Sequence, residues 1–366
     1  MSTHYRLLGG PGSPYSLKMR AILRYRRLPH HWIVPTGYIG TGGELYKAGK
    51  RIIPVLEFPD GGYWADSTPL AYELEKRHPG DRSIIPPDPG QAFLSHLIED
   101  MADELLVVAM FDLRWGSAED LAFCAKRQLS GWMSPVSIDS LAQRITEFIA
   151  RQTSGRAAMV QGDNHAILMQ LYARVLAVME GMLDSSLFIF GSRPSLADFG
   201  LYAQLCQCAI DPSASAIMRS TAARTYQWTQ TLDDCSGIDG EWASPDTRNP
   251  TAEAMLQLIG AFYLPILLAN ARAVAGGASA LPFVLAQAKA NGESPSKFTA
   301  TVGEHTWHGR PDSYKLKCLV WLRRELAAMP SASRESIRPI LERNGCWDAL
   351  QDDELSLQPV PPMAPF

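Results

Sequence analysis

Three short stretches near the N-terminus carry residue types that favour anions and exposed backbone. The first, from Gly12 to Arg20, reads G-S-P-Y-S-L-K-M-R. Pro14 suits the first position of a helix, whose N–H has no intrahelical partner. That puts Ser13 at the N-cap, where free N–H groups and the helix dipole favour negative charge. A thiolate held there would be stabilised, as cysteine thiolates are at helix N-termini. The plainer alternative is a serine that starts a helix and does nothing more.

The second stretch, Arg51 to Phe58, reads R-I-I-P-V-L-E-F. Proline at the entry of an apolar strand is tolerated at an edge or at the first strand position. A cis bond before Pro54 would turn Ile53 outward and leave its N–H and C=O for a ligand backbone. A trans bond, the commoner isomer, would make this an ordinary strand entry. The third stretch, Trp64 to Leu70, reads W-A-D-S-T-P-L. Asp66 or Ser67 caps the helix that follows under any reading. With a ligand present, the helix N–H groups and the Ser67 hydroxyl would take a carboxylate, and Asp66 the amino group beside it.

The elements that must position these residues alternate. HYRLL (4–8) reads as a strand, and the run after Pro14 as a helix with Leu17, Ala21 and Leu23 on a sheet and Lys18, Arg24 and Arg27 in water. HWIV (31–34) is a second strand, and residues 37–50 are glycine-rich without a clear element. PVLEF (54–58), the turn PDGG and YWA (63–65) form a hairpin, and 67–78 a helix. The proline-rich 79–90 is a linker. Beyond it strand signals vanish. Helical patterns follow at 91–115, 138–152, 164–182, 195–210 and 214–233, and after a connector at 251–274, 279–291, 311–328 and 333–343. The expected domains are 1–80, a linker 81–90, a helical unit 91–235 and a helical extension 236–366.

The order and spacing of these features resemble the glutathione transferase superfamily. The matching residues are S-P-Y-S-x-K-x-R, I-P-V-L-E, D-S, and G-S-R-P-S-L-A-D-F-G-L from Gly191 to Leu201. In the last, Ser195 and Asp198 stand at N-cap and N3, a capping-box variant. The resemblance covers residues 4–235. It implies an α/β thioredoxin-like N-terminal domain, then an all-α helical domain, here with extra C-terminal helices. It also implies that Ser13, with Ser16 as fallback, activates the thiol of glutathione. Ile53, beside Pro54, would pair with the cysteinyl backbone, and Asp66 and Ser67 would hold the γ-glutamyl end. Lys50 and Arg51 are candidates for the glycine carboxylate.

Serine at position 13 cannot form a mixed disulfide, which disfavours the glutaredoxin-like and reductase branches. Gly9 and Gly10 stand where some branches place a catalytic tyrosine. Tyr15, Met110, Phe111 and Trp115 are candidate walls for an electrophile, with helix-bundle core as an equal alternative. The implied function is a glutathione-dependent transferase acting on a small electrophile. A non-catalytic scaffold and a glutathione-dependent isomerase or lyase are the alternatives. Glutathione is the implied co-substrate, and a homodimer the implied assembly.

Composition narrows the classes. The chain has 366 residues, 46% hydrophobic and 20% charged, ordinary for a globular protein. Its 34 basic and 38 acidic residues give a net charge of -4, without the basic excess that nucleic acid attracts. The start, MSTHYRLLGG, lacks the pattern of a secretory signal, and six scattered cysteines read as reduced structural thiols. The apolar run Leu258 to Ala269 is too short to span a bilayer. These features lead to the expectation of a cytoplasmic protein with no membrane partner. His305 and His308 could share one face of a turn, but no ligand set completes a zinc site, and no metal is expected. Glu99, Asp100, Asp103 and Glu104 read as a solvated face. In the extension, Leu316, Leu319, Val320 and Leu322 form an apolar face with Lys315, Arg323 and Arg324 outside. It is expected to pack on the helical domain, where it could cover the cleft.

Overall fold

The computed structural model describes residues 4–34, 43–49, 52–80, 82–133, 137–277 and 297–351. Four strands open the chain: β1 (Tyr5–Leu8), β2 (His30–Ile33), β3 (Val55–Glu57) and β4 (Tyr63–Ala65). They lie in the order β2-β1-β3-β4, with β1 and β2 parallel and the other pairs antiparallel. Side chains alternate across the sheet, as the two-residue period requires. Leu7 and Leu56 join one core together with Ile22 of α1 (Pro14–Tyr25) and Leu70 and Leu74 of α3 (Ser67–Arg77). Leu8, Val55 and Ala65 face the other way and pack with Leu45 of the short helix α2 (Glu44–Lys47). This is the thioredoxin-like arrangement that the family resemblance implies.

Asp88 then caps α4 (Pro89–Met101), accepting from the Gln91 N–H at 2.8 Å, so the linker ends before Pro89. The long helix expected over 91–115 is one rod in three parts: α4, a π-helical turn at Ala102–Leu106, and α5 (Val107–Arg114). It is followed by α6 (Ala118–Met133), α7 (Ala142–Met159), α8 (Asn164–Met182), α9 (Leu196–Cys208), α10 (Pro212–Thr221) and α11 (Ala223–Asp233). Every residue of α9 is buried, which makes it the central post of the helical domain. The Asp198 carboxylate accepts from the Ser195 N–H at 2.8 Å, as a capping box requires, and also from the Ser195 hydroxyl at 2.6 Å.

The extension is not purely helical. After α12 (Pro250–Leu258), a π turn and α13 (Leu264–Ala275) comes a hairpin of β5 (Phe298–Val302) and β6 (His305–Gly309). His305 and His308 therefore lie on a strand, not a turn. Among the described residues no His, Cys, Asp and Glu side chains are grouped for a metal. Then follow α14 (Ser313–Ala328), α15 (Ser331–Arg343) and α16 (Trp347–Gln351). The expected helix at 279–291 lies outside the described residues. By length and composition, Pro250–Ala275 could cross a bilayer, at mean hydropathy 1.6, although its apolar core read as too short. Here 56% of its most apolar stretch is buried, with Met255, Leu256, Ile259, Phe262 and Leu267 in the protein core.

Candidate functional site

The sheet register brings the three sequence stretches to one end. Leu8 pairs with Val55, and Val55 with Ala65. The loop leaving β1 toward Ser13, the Ile53–Pro54 entry to β3 and the Asp66–Ser67 exit from β4 therefore emerge side by side. Both α1 and α3 start there, so two helix N-termini share that end, each favouring negative charge. The Ile53–Pro54 bond is cis. Among the described residues no backbone hydrogen bond engages Ile53. Lys50 and Arg51 lie outside the described residues.

Ser13 caps α1 with extended backbone, and its Oγ accepts from the Ser16 N–H at 3.3 Å. Ser13 is half-buried, whereas Ser16 is fully buried with no hydrogen-bond partner for its hydroxyl. The loop between β1 and Ser13 is tightly enclosed. A Cβ on Gly9 would meet Ser16 Oγ and Trp32 at 2.8 Å, and one on Gly10 would meet the Trp132 indole nitrogen at 2.2 Å. A larger side chain at the end of β1 has no room. The loop carbonyls are gripped from the helical domain. Arg114 donates to Gly12 O at 2.9 Å, and Arg127 and Gln207 each donate to Pro11 O at 3.1 Å. Asp211 holds Arg114 at 2.6 Å and Arg127 at 3.2 Å. These supporting residues carry no local signal, because they meet the loop only through the tertiary fold.

The α1–α4 contact overturns two expectations. Lys18, expected in water, is completely buried, and its ammonium binds Glu99, Asp103 at 2.6 Å and Thr68 at 3.4 Å. Burial works against its charge, but Asp103 and Glu99 together hold its pKa above the usual lysine range. Glu99, Asp100 and Asp103 are likewise buried, not solvated. Burial, with Glu99 nearby, raises the Asp103 carboxyl, and burial pushes Glu104 up to about 8 despite Lys315. The periodicity that marks an acidic helix side cannot say whether water or a partner covers it. Here one side faces α1 and another faces the extension. Such buried charges persist only when paired and hydrogen-bonded.

Asp66 has φ +82°, a left-handed region unfavourable for a non-glycine residue. Its side chain makes no cap bond to α3. Instead its carboxylate accepts a 2.7 Å bond from the Tyr314 hydroxyl of α14. Burial raises its pKa to about 6, against the pull of Tyr314 and Lys18. Ser67 opens α3 and is buried at 4% exposure. The extension thus touches the N-terminal domain as well as the helical one.

The proposed electrophile wall does not assemble. Met110 points into the main core, and Trp115 into a second cluster with Phe148 and Trp132, with Phe111 at its margin. Consecutive turns of α5 face different cores, so the bundle-core alternative holds for Met110 and Trp115. Tyr15 is half-buried and spends its hydroxyl on Asp103 O at 2.8 Å. Burial, with Glu104 and Asp103 nearby, raises its pKa well above the usual range. The side chains that do press on the Ser13 loop are Trp132 and Gln128 of α6.

Residues 7–82 match the family model described as glutathione S-transferase, N-terminal domain. A 115-residue stretch is 26% identical to glutathione S-transferase U8 of Arabidopsis thaliana, covering 31% of this chain. The chain spans 51% of that relative's length. Among solved structures, a glutathione S-transferase of Methylobacterium radiotolerans, in complex with glutathione sulfonate, is 19% identical with a TM-score of 0.41. The alignment covers 67% of this chain and 99% of that one. The beta-etherase LigF of Sphingobium sp. strain SYK-6 is 17% identical with a TM-score of 0.44, over 70% of this chain and 99% of that one.

Proposed function

We propose, from the match of residues 7–82 to the glutathione S-transferase N-terminal domain, that the chain binds glutathione at the shared end of the sheet and activates the thiol for attack on a small electrophile. The observation that carries this reading is the register Leu8–Val55–Ala65, which puts Ser13, Ile53 and the Asp66–Ser67 pair at one edge. In this reading the γ-glutamyl carboxylate takes the α3 N-terminus and the Ser67 hydroxyl, and its ammonium takes Asp66. The cysteinyl backbone pairs with Ile53. The sulfur sits at the start of α1, where Ser13 donates a hydrogen bond to the thiolate.

The required effect is modest. Lowering a thiol pKa by about two units takes ~2.7 kcal/mol of preference for the thiolate. One charge-assisted hydrogen bond and a helix N-terminus supply that much. The chemistry past the thiolate is left open between conjugation and a lyase or isomerase cycle, which differ in whether glutathione is regenerated.

Calorimetric titration with glutathione tests the reading. Wild type is expected to bind in the micromolar to millimolar range, and Ser67→Ala about tenfold more weakly, through loss of a hydrogen bond to a charged group. No heat at millimolar glutathione would remove the proposal. Retention of glutathione without turnover of any general electrophile would favour a non-catalytic binding protein.

A further inference from the structure

Among the described residues, the C-terminal extension reaches the Asp66–Ser67 exit through the side chain of Tyr314. Tyr314 stands at the first turn of α14, whose N-cap is Asp312. That turn is clamped from α13. Asn270, fully buried, donates to Asp312 O at 2.9 Å and accepts from the Asp312 N–H at 2.7 Å. One residue beyond Tyr314, Lys315 donates to Glu104 Oε2 at 2.9 Å and to the Glu104 carbonyl. Further along, Trp321 packs edge-on against His96 of α4 and beside Tyr72 of α3, while His96 bonds Glu325 at 2.5 Å. The phenol is therefore held at both ends of its helix before it reaches Asp66 at 2.7 Å.

On the glutathione reading above, we infer that Tyr314 is a positioning residue of the γ-glutamyl subsite, supplied by the extension to orient the Asp66 carboxylate toward a ligand ammonium. The hydrogen-bonding capacity of the pair allows simultaneous occupancy. A carboxylate has about four lone-pair sites, of which the phenol uses one, and the phenol oxygen keeps lone pairs able to accept from an ammonium. The ligand class is an α-amino acid end, with ammonium on Asp66 and carboxylate on the α3 N-terminus. Among the described residues, the charged and titratable groups facing Asp66 include Tyr15 and Lys18 from α1, Glu99 from α4 and Tyr314 from α14. Lys18 is committed to Glu99 and Asp103. Tyr314 bonds Asp66 directly, so its removal changes Asp66 without breaking an ion pair.

The sign of the pH effect follows. A bond donated to the ionised carboxylate lowers its pKa, so removing the hydroxyl raises it from about 6. An ammonium binds the ionised form, so affinity climbs with pH through that value. In Tyr314→Phe the climb moves to higher pH.

The experiment titrates wild type and Tyr314→Phe with glutathione and with its analogue lacking the γ-glutamyl amino group, near pH 6 and near pH 8. The expected result is a preference of wild type for glutathione over the analogue that falls about tenfold in Tyr314→Phe near pH 6, and by less near pH 8. An unchanged preference at both pH values overturns the inference alone and leaves glutathione binding standing. Tighter glutathione binding by Tyr314→Phe also overturns it, since the phenol would then obstruct the site. Failure of wild type to bind glutathione removes the proposed function, and this inference with it. A carbon NMR titration of Asp66 in the unliganded proteins guards against misfolding: an upward shift of its midpoint in a folded Tyr314→Phe supports the contact, and no shift overturns it.

Discussion

Ser13 is both the cap of α1 and the proposed donor to a thiolate, and the two roles can be pulled apart. Ser13→Ala is expected to lower turnover by about ten- to a hundredfold, the size of one lost hydrogen bond to a charged group. Glutathione affinity is expected to change little. Losing the cap also costs about 0.5–2 kcal/mol of stability, whereas glycine caps nearly as well as serine. Ser13→Gly therefore serves as the folded control. A pH titration of the bound thiolate absorbance checks the role, and a thiol pKa equal in both variants and wild type would contradict it. At this scale the sequence was informative where chemistry is local. Ser13 follows from capping preference, whereas Asp66, expected as a possible cap, gives its carboxylate to Tyr314 instead. Lys18 and the acidic residues of α4 were misjudged, because a charge at a helix position looks the same whether it meets water or a counter-charge. Tyr314 had no signal at all, since its partner lies 248 residues away.

Among the elements, α6 matters most to the Ser13 loop. Its Trp132 fills the space above Gly10, so Gly10→Ala forces the indole or the loop to move. Overpacking of this kind costs typically about 1–3 kcal/mol. Chemical denaturation is expected to show that loss, and Trp132→Leu in the same chain to recover part of it. Equal losses in the single and double variants would mean the indole is not the obstacle. The expectations over the chain omitted α6, yet Ser117 and Asp120 announce it. Ser117 Oγ accepts the Asp120 N–H at 3.1 Å, a short cap legible as S-x-x-D before an apolar run. The β5–β6 hairpin was also passed over. Phe298, Ala300 and Val302 alternate with exposed threonines around a two-residue Gly303–Glu304 turn, with Gly303 at φ +60°. The signal was there, but a long helical context hid it. By contrast the first sheet was readable strand by strand, because each strand is short, apolar and bounded by glycine or proline.

Across the whole molecule, the extension joins both domains through α14. His96 is central to that junction. Burial opposes its charge, but Glu325 and then Glu99 and Asp100 hold its pKa up at about 9. A histidine raised above its unfolded value of about 6.5 stabilises the fold fully below that pH and loses the contribution as pH climbs through about 9. Stability measured by denaturant is expected to fall by roughly 1–3 kcal/mol over that interval, and Glu325→Gln to flatten the slope. An unchanged slope in the variant would show that another group carries it. The contact of α14 with α3 and α4 was not legible in the sequence, because nothing in local pattern encodes a pairing of elements so far apart.

The grip of Arg114, Arg127 and Gln207 on the carbonyls of Pro11 and Gly12 has a bearing on biosynthesis. While the chain is being made, the first domain can assemble its sheet early, but the Pro11 and Gly12 carbonyls lack these side-chain donors until α5, α6 and α9 have left the ribosome. A nascent N-terminal half therefore carries the Ser13 loop without part of its support. If the proposed function holds, products truncated before α9 are expected to lack thiol activation.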